Sequence, residues 1–355
     1  MKPAVLDLSA DVVALTAQLV DIPSVSGQEA QLADVVEQAL RAIPWLEVHR
    51  DGDSLVASTA FGRAERVVLA GHLDTVPVTD NLPARTVAGR LFGRGTTDMK
   101  AGLAVQLRLA TTLTAPNRDL TFVFYDNEEV TDTASGLERI AHRDPARVAG
   151  DLAILLEPTG LVAEAGCQGA LWVDVTASGR AAHSARSWLG ANAIHAIEPL
   201  LARLNAHGDQ IVEVDGLEYR EGLLAVRVDG GSAGNVVPDS CVVRVNYRFA
   251  PDKTPDEAVT RVREIFDGFA ITPVRVVPGA PPSLSTAAVR ELVNALGVPV
   301  RPKYGWTDVA RFAALGIPAI NFGPGDPDLA HTRDESVALA SISTCEELLR
   351  SWLLA

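Results

Sequence analysis

The stretch VVLAGHLDTVPV, Val67–Val78, decides the fold. Val67 to Ala70 is a run of β-branched and aliphatic residues, the composition of a buried central strand, and it stops at Gly71. His72 and Asp74 follow at once, so two metal-capable side chains stand at a strand's carboxyl end, where open α/β sheets bind their ligands. Residues two apart share a side of an extended chain, so His72 can face a site while Asp74 lies close enough to orient its ring. These twelve residues alone are equally compatible with a strand that runs into an ordinary polar loop. The residues downstream decide between the two.

Working outward, helical spacing of apolar residues predicts helices over 10–21 (Val12, Val13, Leu15, Leu19) and 28–42 (Leu32, Val35, Val36, Leu40). Between them, Ser26 and Glu29 have the spacing of a capping box for the second helix. Short strands are expected at 45–49 and 54–59. The Gly-punctuated segment GRLFGRGTTDMKAG delivers Asp98 to the start of a helix running from Met99 to about Leu113. The apolar run Leu120 to Tyr125 reads as a strand ending in Asp126, Asn127, Glu128 and Glu129, and Leu152 to Leu156 as another ending in Glu157, Pro158 and Thr159. Three successive strands thus present His or carboxylates at their carboxyl ends.

The pattern then changes to strand 170–178, helix 190–205, strands 221–229 and 240–249, helix 254–267 and strand 271–277. This β-α-β-β-α-β order is that of a split ferredoxin-like α+β domain. A Pro- and Gly-rich linker, Val277 to Ser285, leads back to a helix at 286–296, a strand at Ile317 to Phe322 and a loop carrying His331. The expectation is an α/β protein with a mixed sheet and a discontinuous catalytic domain, 1–169 and 286–355, interrupted by an inserted domain at 170–285.

The 355 residues carry 31 basic and 45 acidic side chains, a net charge of −14. Such a balance repels phosphate backbones and anionic lipid, which argues against nucleic acid and membrane as partners. An anionic substrate then has to be met by local arginines. The amino-terminal stretch lacks the pattern of a targeting peptide, and Cys167, Cys241 and Cys345 are widely spaced without a CxxC, as in a cytoplasmic protein with reduced thiols.

The metal-capable residues at the strand ends are His72, Asp98, Glu129, Glu157 and His331. Two His and three carboxylates suit zinc, and one bridging carboxylate would give each of two ions a His, a terminal carboxylate and a shared Asp. Two-metal sites activate a water while polarising a carbonyl, and an unligated carboxylate must then accept the proton. The Glu128–Glu129 pair supplies one ligand and one base. Asp74 fits as the acceptor for the other ring nitrogen of His72. His49, His142, His195 and His207 sit in ordinary helix or strand contexts.

HLDTVPV, GRGTTDMKAG, YDNEEV, the EPT at 157–159, AHSARSWLGANAI and AHTRDE, in this order, resemble the motifs of the dizinc aminoacylase and carboxypeptidase superfamily over nearly the whole chain. Within it, YGWTDVARFAALGIPAINFGPGDPDLAH and AHSARSWLG resemble the actinobacterial type of succinyl-diaminopimelate desuccinylase. The resemblance implies a dizinc exopeptidase-like catalytic domain with an inserted dimerisation (lid) domain, and two Zn2+ per subunit with Co2+ as a substitute. It assigns His72, Asp98 and Glu129 to one zinc, and Asp98, Glu157 and His331 to the other. Glu128 is the implied general base, Asp74 its supporting acid, and the Asp98–Met99 peptide is expected to be cis. His183 is expected to reach the partner's active site in a homodimer formed through the inserted domain and to help hold the oxyanion.

Arg186, Asn235, Arg248, Thr307 and Arg311 fall at or near positions that contact substrate in such enzymes. One departure affects Arg311: the usual Ser/Thr-Asp-x-Arg step carries an extra residue in Thr307, Asp308, Val309, Ala310, Arg311. The implied substrate is a small anionic N-succinyl amino acid. Other deacylases and carboxypeptidases of the superfamily, an acetylornithine deacetylase among them, share every metal residue, and a non-catalytic relative would lack a ligand or the base.

Overall fold

In the computed structural model the run Val67–Ala70 lies inside the strand Arg66–His72, near the middle of an eight-stranded mixed sheet. The strand order is Glu47–Asp51, Ser54–Ser58, Asp119–Tyr125, Arg66–His72, Leu152–Leu155, Ala319–Asn321, Ala163–Ala165 and Val300–Pro302. Arg66–His72 pairs in parallel with Asp119–Tyr125 on one side and Leu152–Leu155 on the other, and Leu152–Leu155 pairs in parallel with Ala319–Asn321. Four parallel strands therefore release their carboxyl ends at the same edge. The structure describes residues 5–130 and 135–355.

Burial explains the apolar runs. Val67 to Ala70 and Leu120 to Tyr125 are almost completely removed from solvent, as expected for strands covered on both faces. One cover is the helix Ala101–Thr112, whose Leu103, Val105, Leu107 and Leu109 are all buried. Each such side chain contributes about 1.5–3 kcal/mol relative to an exposed one. This helix starts two residues later than its sequence suggests, because Thr96–Lys100 forms a separate wide turn with Asp98 and Met99 in non-helical conformations. The Asp98–Met99 peptide is cis.

Two glycines hem in the turn after Leu152–Leu155. A Cβ on Gly102 would lie 2.2 Å from the Leu156 carbonyl oxygen, and one on Gly323 would lie 2.5 Å from the carbonyl oxygens of both Leu156 and Glu157. Thr159 closes the same turn, its Oγ1 donating to the Gly323 carbonyl at 3.1 Å. The backbone that carries Glu157 is thus held between a helix and the segment after Ala319–Asn321.

The chain divides into two compact units, one of 1–165, 283–301 and 311–355, the other of 166–282 and 302–310. The second unit has a five-stranded antiparallel sheet in the order Gln210–Val214, Leu217–Gly230, Ser240–Phe249, Gly169–Ser178, Ala270–Val277. Helices Glu198–His207 and Pro255–Ile265 pack on one face around Leu171, Val173, Val175, Val243, Val245 and Phe249. Three features differ from the sequence reading. The helix expected over 190–205 is preceded by a 3-10 turn, His195–Ile197, and begins at Glu198 with Pro199 in its first turn. An edge strand, Gln210–Val214, adds to the expected pattern. Residues 302–310 pack with the second unit, not with the flanking catalytic segment, because Trp306 Nε1 donates to the Pro278 carbonyl at 3.0 Å and Cys167 Sγ lies 3.7 Å from the Thr307 carbonyl.

Gly102→Ala should therefore push the helix off the Leu156–Glu157 turn. The expected cost is about 1–3 kcal/mol, the usual range for overpacking, read as a lowered urea midpoint. A midpoint equal to that of the parent protein would mean that the turn yields freely.

Candidate metal centre

At the shared edge of the sheet, five side chains form two overlapping groups of donors. His72, Asp98 and Glu157 make one group, and Asp98, Glu129 and His331 the other; within each group the donor atoms lie within 4.8 Å of one another. Asp98 belongs to both. Its Oδ1 is 3.1 Å from His72 Nε2 and its Oδ2 is 3.2 Å from His331 Nε2. Glu129 Oε1 is 2.9 Å from the same His331 nitrogen. Two imidazoles and three carboxylates around a shared Asp are the donor chemistry of a borderline divalent ion, so these residues fit a metal centre.

The grouping differs from the expected ligand sets: Glu157 lies with His72, and Glu129 with His331. The reason is how far each ligand stands beyond its strand. His72 ends Arg66–His72 in register with Tyr125, and Ala70 is in register with Leu155. Glu157 comes two residues after Leu155 and stays beside His72, whereas Glu129 comes four residues after Tyr125 and reaches past it to His331.

Asp74 supports the centre differently from its sequence reading. His72 Nδ1 lies 2.9 Å from the Asp74 main-chain oxygen and 3.5 Å from the carboxylate Oδ1. The carboxylate chiefly accepts N–H bonds from Glu128 at 2.9 Å and Glu129 at 3.0 Å, together with the Ser26 hydroxyl at 2.8 Å. Asp74 thus fixes both the ring of His72, leaving Nε2 to face Asp98, and the backbone of the two glutamates. Ser26 and Glu29 form no capping box: the helix Ala30–Arg41 has no side-chain cap, and the buried Glu29 accepts from Gly27 N at 3.0 Å and Asn127 N at 3.2 Å. Both residues serve the loop that carries Glu128. Met99 adds a further tie, its Sδ accepting the His72 N–H at 3.3 Å.

Charge at the centre is balanced by the imidazoles. Hydrogen bonds to Asp98 and then Glu129 push His331 up to about 10. Burial opposes a charge on His72, yet Asp74 and Asp98 outweigh it and raise this ring well above its ordinary value. Burial would raise Asp98, but His331 and His72 hold it well below the usual carboxylate range. A His raised on folding stabilises the fold fully below its unfolded pKa, about 6.5, and that contribution disappears as pH rises through the folded value. The metal-free protein should therefore lose stability between about pH 6.5 and 10, measured as denaturation midpoints across a pH series. Metal ligation needs neutral imidazoles, so uptake should release protons and tighten over the same window. Midpoints and affinities that stay flat with pH would count against this charge balance.

The other residues singled out by the sequence lie mostly in the second unit. His183 is exposed in the short bridge Ala182–His183 with Val236–Val237, its Nδ1 accepting from Ala185 N at 3.1 Å. Exposed Asn235 is its neighbour, its carbonyl accepting from Ser184 N at 2.8 Å, and Arg186 is exposed on the following turn. Arg248 is half-buried over the Trp172 ring at 5.5 Å; burial, then the nearby Arg275, lowers its pKa. Thr307 is buried in the 302–310 segment. Arg311 lies in the first unit, where it pairs with Glu138 at 2.9 Å. Arg94 and Glu335, both buried close behind Asp98, escaped the sequence reading. Both lie inside the motifs GRGTTDMKAG and AHTRDE, but the contact that joins them spans 241 residues and does not show in local spacing.

The profile of peptidase family M20/M25/M40 matches residues 68–355. A Mycobacterium tuberculosis protein provisionally named as succinyl-diaminopimelate desuccinylase DapE is 53% identical over 98% of this chain and 99% of its own. A Corynebacterium glutamicum protein named succinyl-diaminopimelate desuccinylase is 47% identical over 99% of this chain and 98% of its own. Among solved structures, aminopeptidase PepT from Bacillus cereus shares the fold with a TM-score of 0.78, at 20% identity over 98% of both chains. With its donor sets intact and its family profile matched across most of its length, the chain belongs to the metal-dependent peptidase family M20/M25/M40.

Proposed function

We propose that this protein is a succinyl-diaminopimelate desuccinylase, a metal-dependent hydrolase that cleaves N-succinyl-L,L-2,6-diaminopimelate to succinate and L,L-diaminopimelate for lysine and cell-wall precursor synthesis. The observation that carries this reading is a complete donor set beside an intact Glu128, in a chain about half identical over its full length to relatives bearing that name.

In this reading two Zn2+, or Co2+ in their place, are held by His72, Asp98 and Glu157 and by Asp98, Glu129 and His331. When bound, they supply Lewis acidity, which polarises the amide carbonyl and lowers the pKa of water to about 7. Glu128 takes the proton of the attacking water and passes it to the departing amine. Asp74 keeps Glu128 and Glu129 in register by holding both backbone N–H groups. His183 helps to stabilise the oxyanion, and Arg186, Asn235, Arg248 and Thr307 hold the substrate's polar groups.

Homodimerisation through the second unit belongs to the same proposal. The strand Leu217–Gly230 pairs with Gln210–Val214 only over its first five residues. Beyond them, among the described residues, its outer edge is open and carries the exposed Leu224, Val226 and Val228. An open apolar strand edge is a natural pairing surface. The cytoplasm is the proposed compartment, consistent with three free buried cysteines. Among the described residues no helix is long and apolar enough to cross a membrane.

Succinate release from N-succinyl-L,L-diaminopimelate in the presence of zinc tests the substrate. No release, with turnover of another N-acyl amino acid such as N-acetylornithine, would replace this activity by a sister one. Glu128→Gln should lower kcat by about 10²–10⁴-fold while leaving metal content unchanged, the usual yield of a general base. Mixing inactive His183→Ala and Glu128→Gln proteins should restore activity if His183 acts across a dimer. A mixture that stays inactive, although mixed dimers form, would exclude that role.

A further inference from the structure

Arg94 and Glu335 are charged, at most 2% exposed, and members of neither donor group. Burial of two ions is tolerated only where their polar atoms are satisfied. Glu335 Oε1 accepts from Thr97 N at 2.9 Å and Asp98 N at 3.1 Å, while Oε2 accepts from Gly95 N at 3.0 Å and Arg94 Nη1 at 2.7 Å. Arg94 also donates to the carbonyls of Pro77 at 3.1 Å and Thr332 at 3.2 Å and to Thr79 Oγ1 at 3.2 Å. Strand pairing delivers the two: Ser336–Ala338 lies antiparallel to Arg90–Phe92, with Ser336 opposite Phe92.

The pair therefore grips the backbone of Asp98 on one side and the residue after His331 on the other. The two donor groups depend on it unequally. His72 and Glu157 sit at or within two residues of central strand ends, where the sheet ladder fixes them. His331 is the outlying ligand, with a half-exposed side chain, on a loop, at φ +62°. We propose that the Arg94–Glu335 pair is a positioning device that sets the Asp98–Glu129–His331 metal position, and the His72–Asp98–Glu157 position far less. This inference rests on the two-metal reading above.

The test is metal binding by the full-length protein, stripped with a chelator and titrated with Co2+ by calorimetry and visible absorption. The parent should take up two equivalents, and His331→Ala should lose one, which labels that equivalent. In Glu335→Gln the labelled equivalent should weaken about 10–100-fold, the usual effect of removing a ligand's supporting partner, and the other should change much less. Arg94→Lys keeps the buried charges balanced but loses the fork that reaches Thr332, and it should show the same selective weakening if Glu335→Gln fails to fold. Equal weakening of both equivalents, or of neither, overturns the positioning role. A single equivalent in the parent overturns the two-metal reading and this inference with it.

Discussion

The Asp98 carboxylate facing two imidazoles at once is the constraint around which the first unit is arranged. Asp98, Glu129 and Glu157 crowd into one small region, with the Asp74 carboxylate close by, bonded to the backbone of Glu128 and Glu129. Two like charges 4 Å apart repel by roughly 4 kcal/mol at an effective dielectric constant near 20, so such a cluster persists only with cations inside it. Without metal, the upward shifts of His72 and His331 favour the cationic imidazoles that offset this repulsion. With metal, the ions take over that role and the histidines become neutral ligands.

Such a centre also needs a rigid frame, since each ligand must be held against its neighbours' repulsion. The frame is made largely of main-chain N–H groups gathered by buried acids. Asp74 collects those of Glu128 and Glu129, Glu29 those of Gly27 and Asn127, and Glu335 those of Gly95, Thr97 and Asp98. Charge-assisted bonds of this kind are about twice as strong as neutral ones, which suits loops that have no ladder of their own.

The central strands were readable from composition, because strands buried on both faces are continuous apolar runs. Of the proposed donors, His72, Glu129 and Glu157 stand at or just beyond such a run, whereas Asp98 and His331 were picked out by loop motifs of the family. Their division between two positions was not readable: it depends on whether a loop extends two or four residues beyond its strand, a difference that residue identity does not encode. Ser26 and Glu29 misled because S-x-x-E serves a helix cap and a loop clamp equally well. Arg94 and Glu335 stood inside the motifs GRGTTDMKAG and AHTRDE, but nothing local showed that they pair across 241 residues. The return of 302–310 to the second unit was likewise invisible, since it follows from tertiary contacts of Trp306 and Thr307 and not from periodicity.

The discontinuity of the first unit has a consequence for synthesis on the ribosome. Residues 166–282 are complete while the first unit still lacks 283–301 and 311–355. During that interval Leu152–Leu155 has an unpaired side awaiting Ala319–Asn321, and Asp98 awaits both His331 and the N–H acceptor Glu335. A half-made chain therefore exposes one lateral side of a parallel strand, with a cluster of acids only partly offset by His72 at the strands' carboxyl ends. Their mutual repulsion, with the chain's overall negative charge, disfavours edge-to-edge association of nascent chains until the last segment arrives.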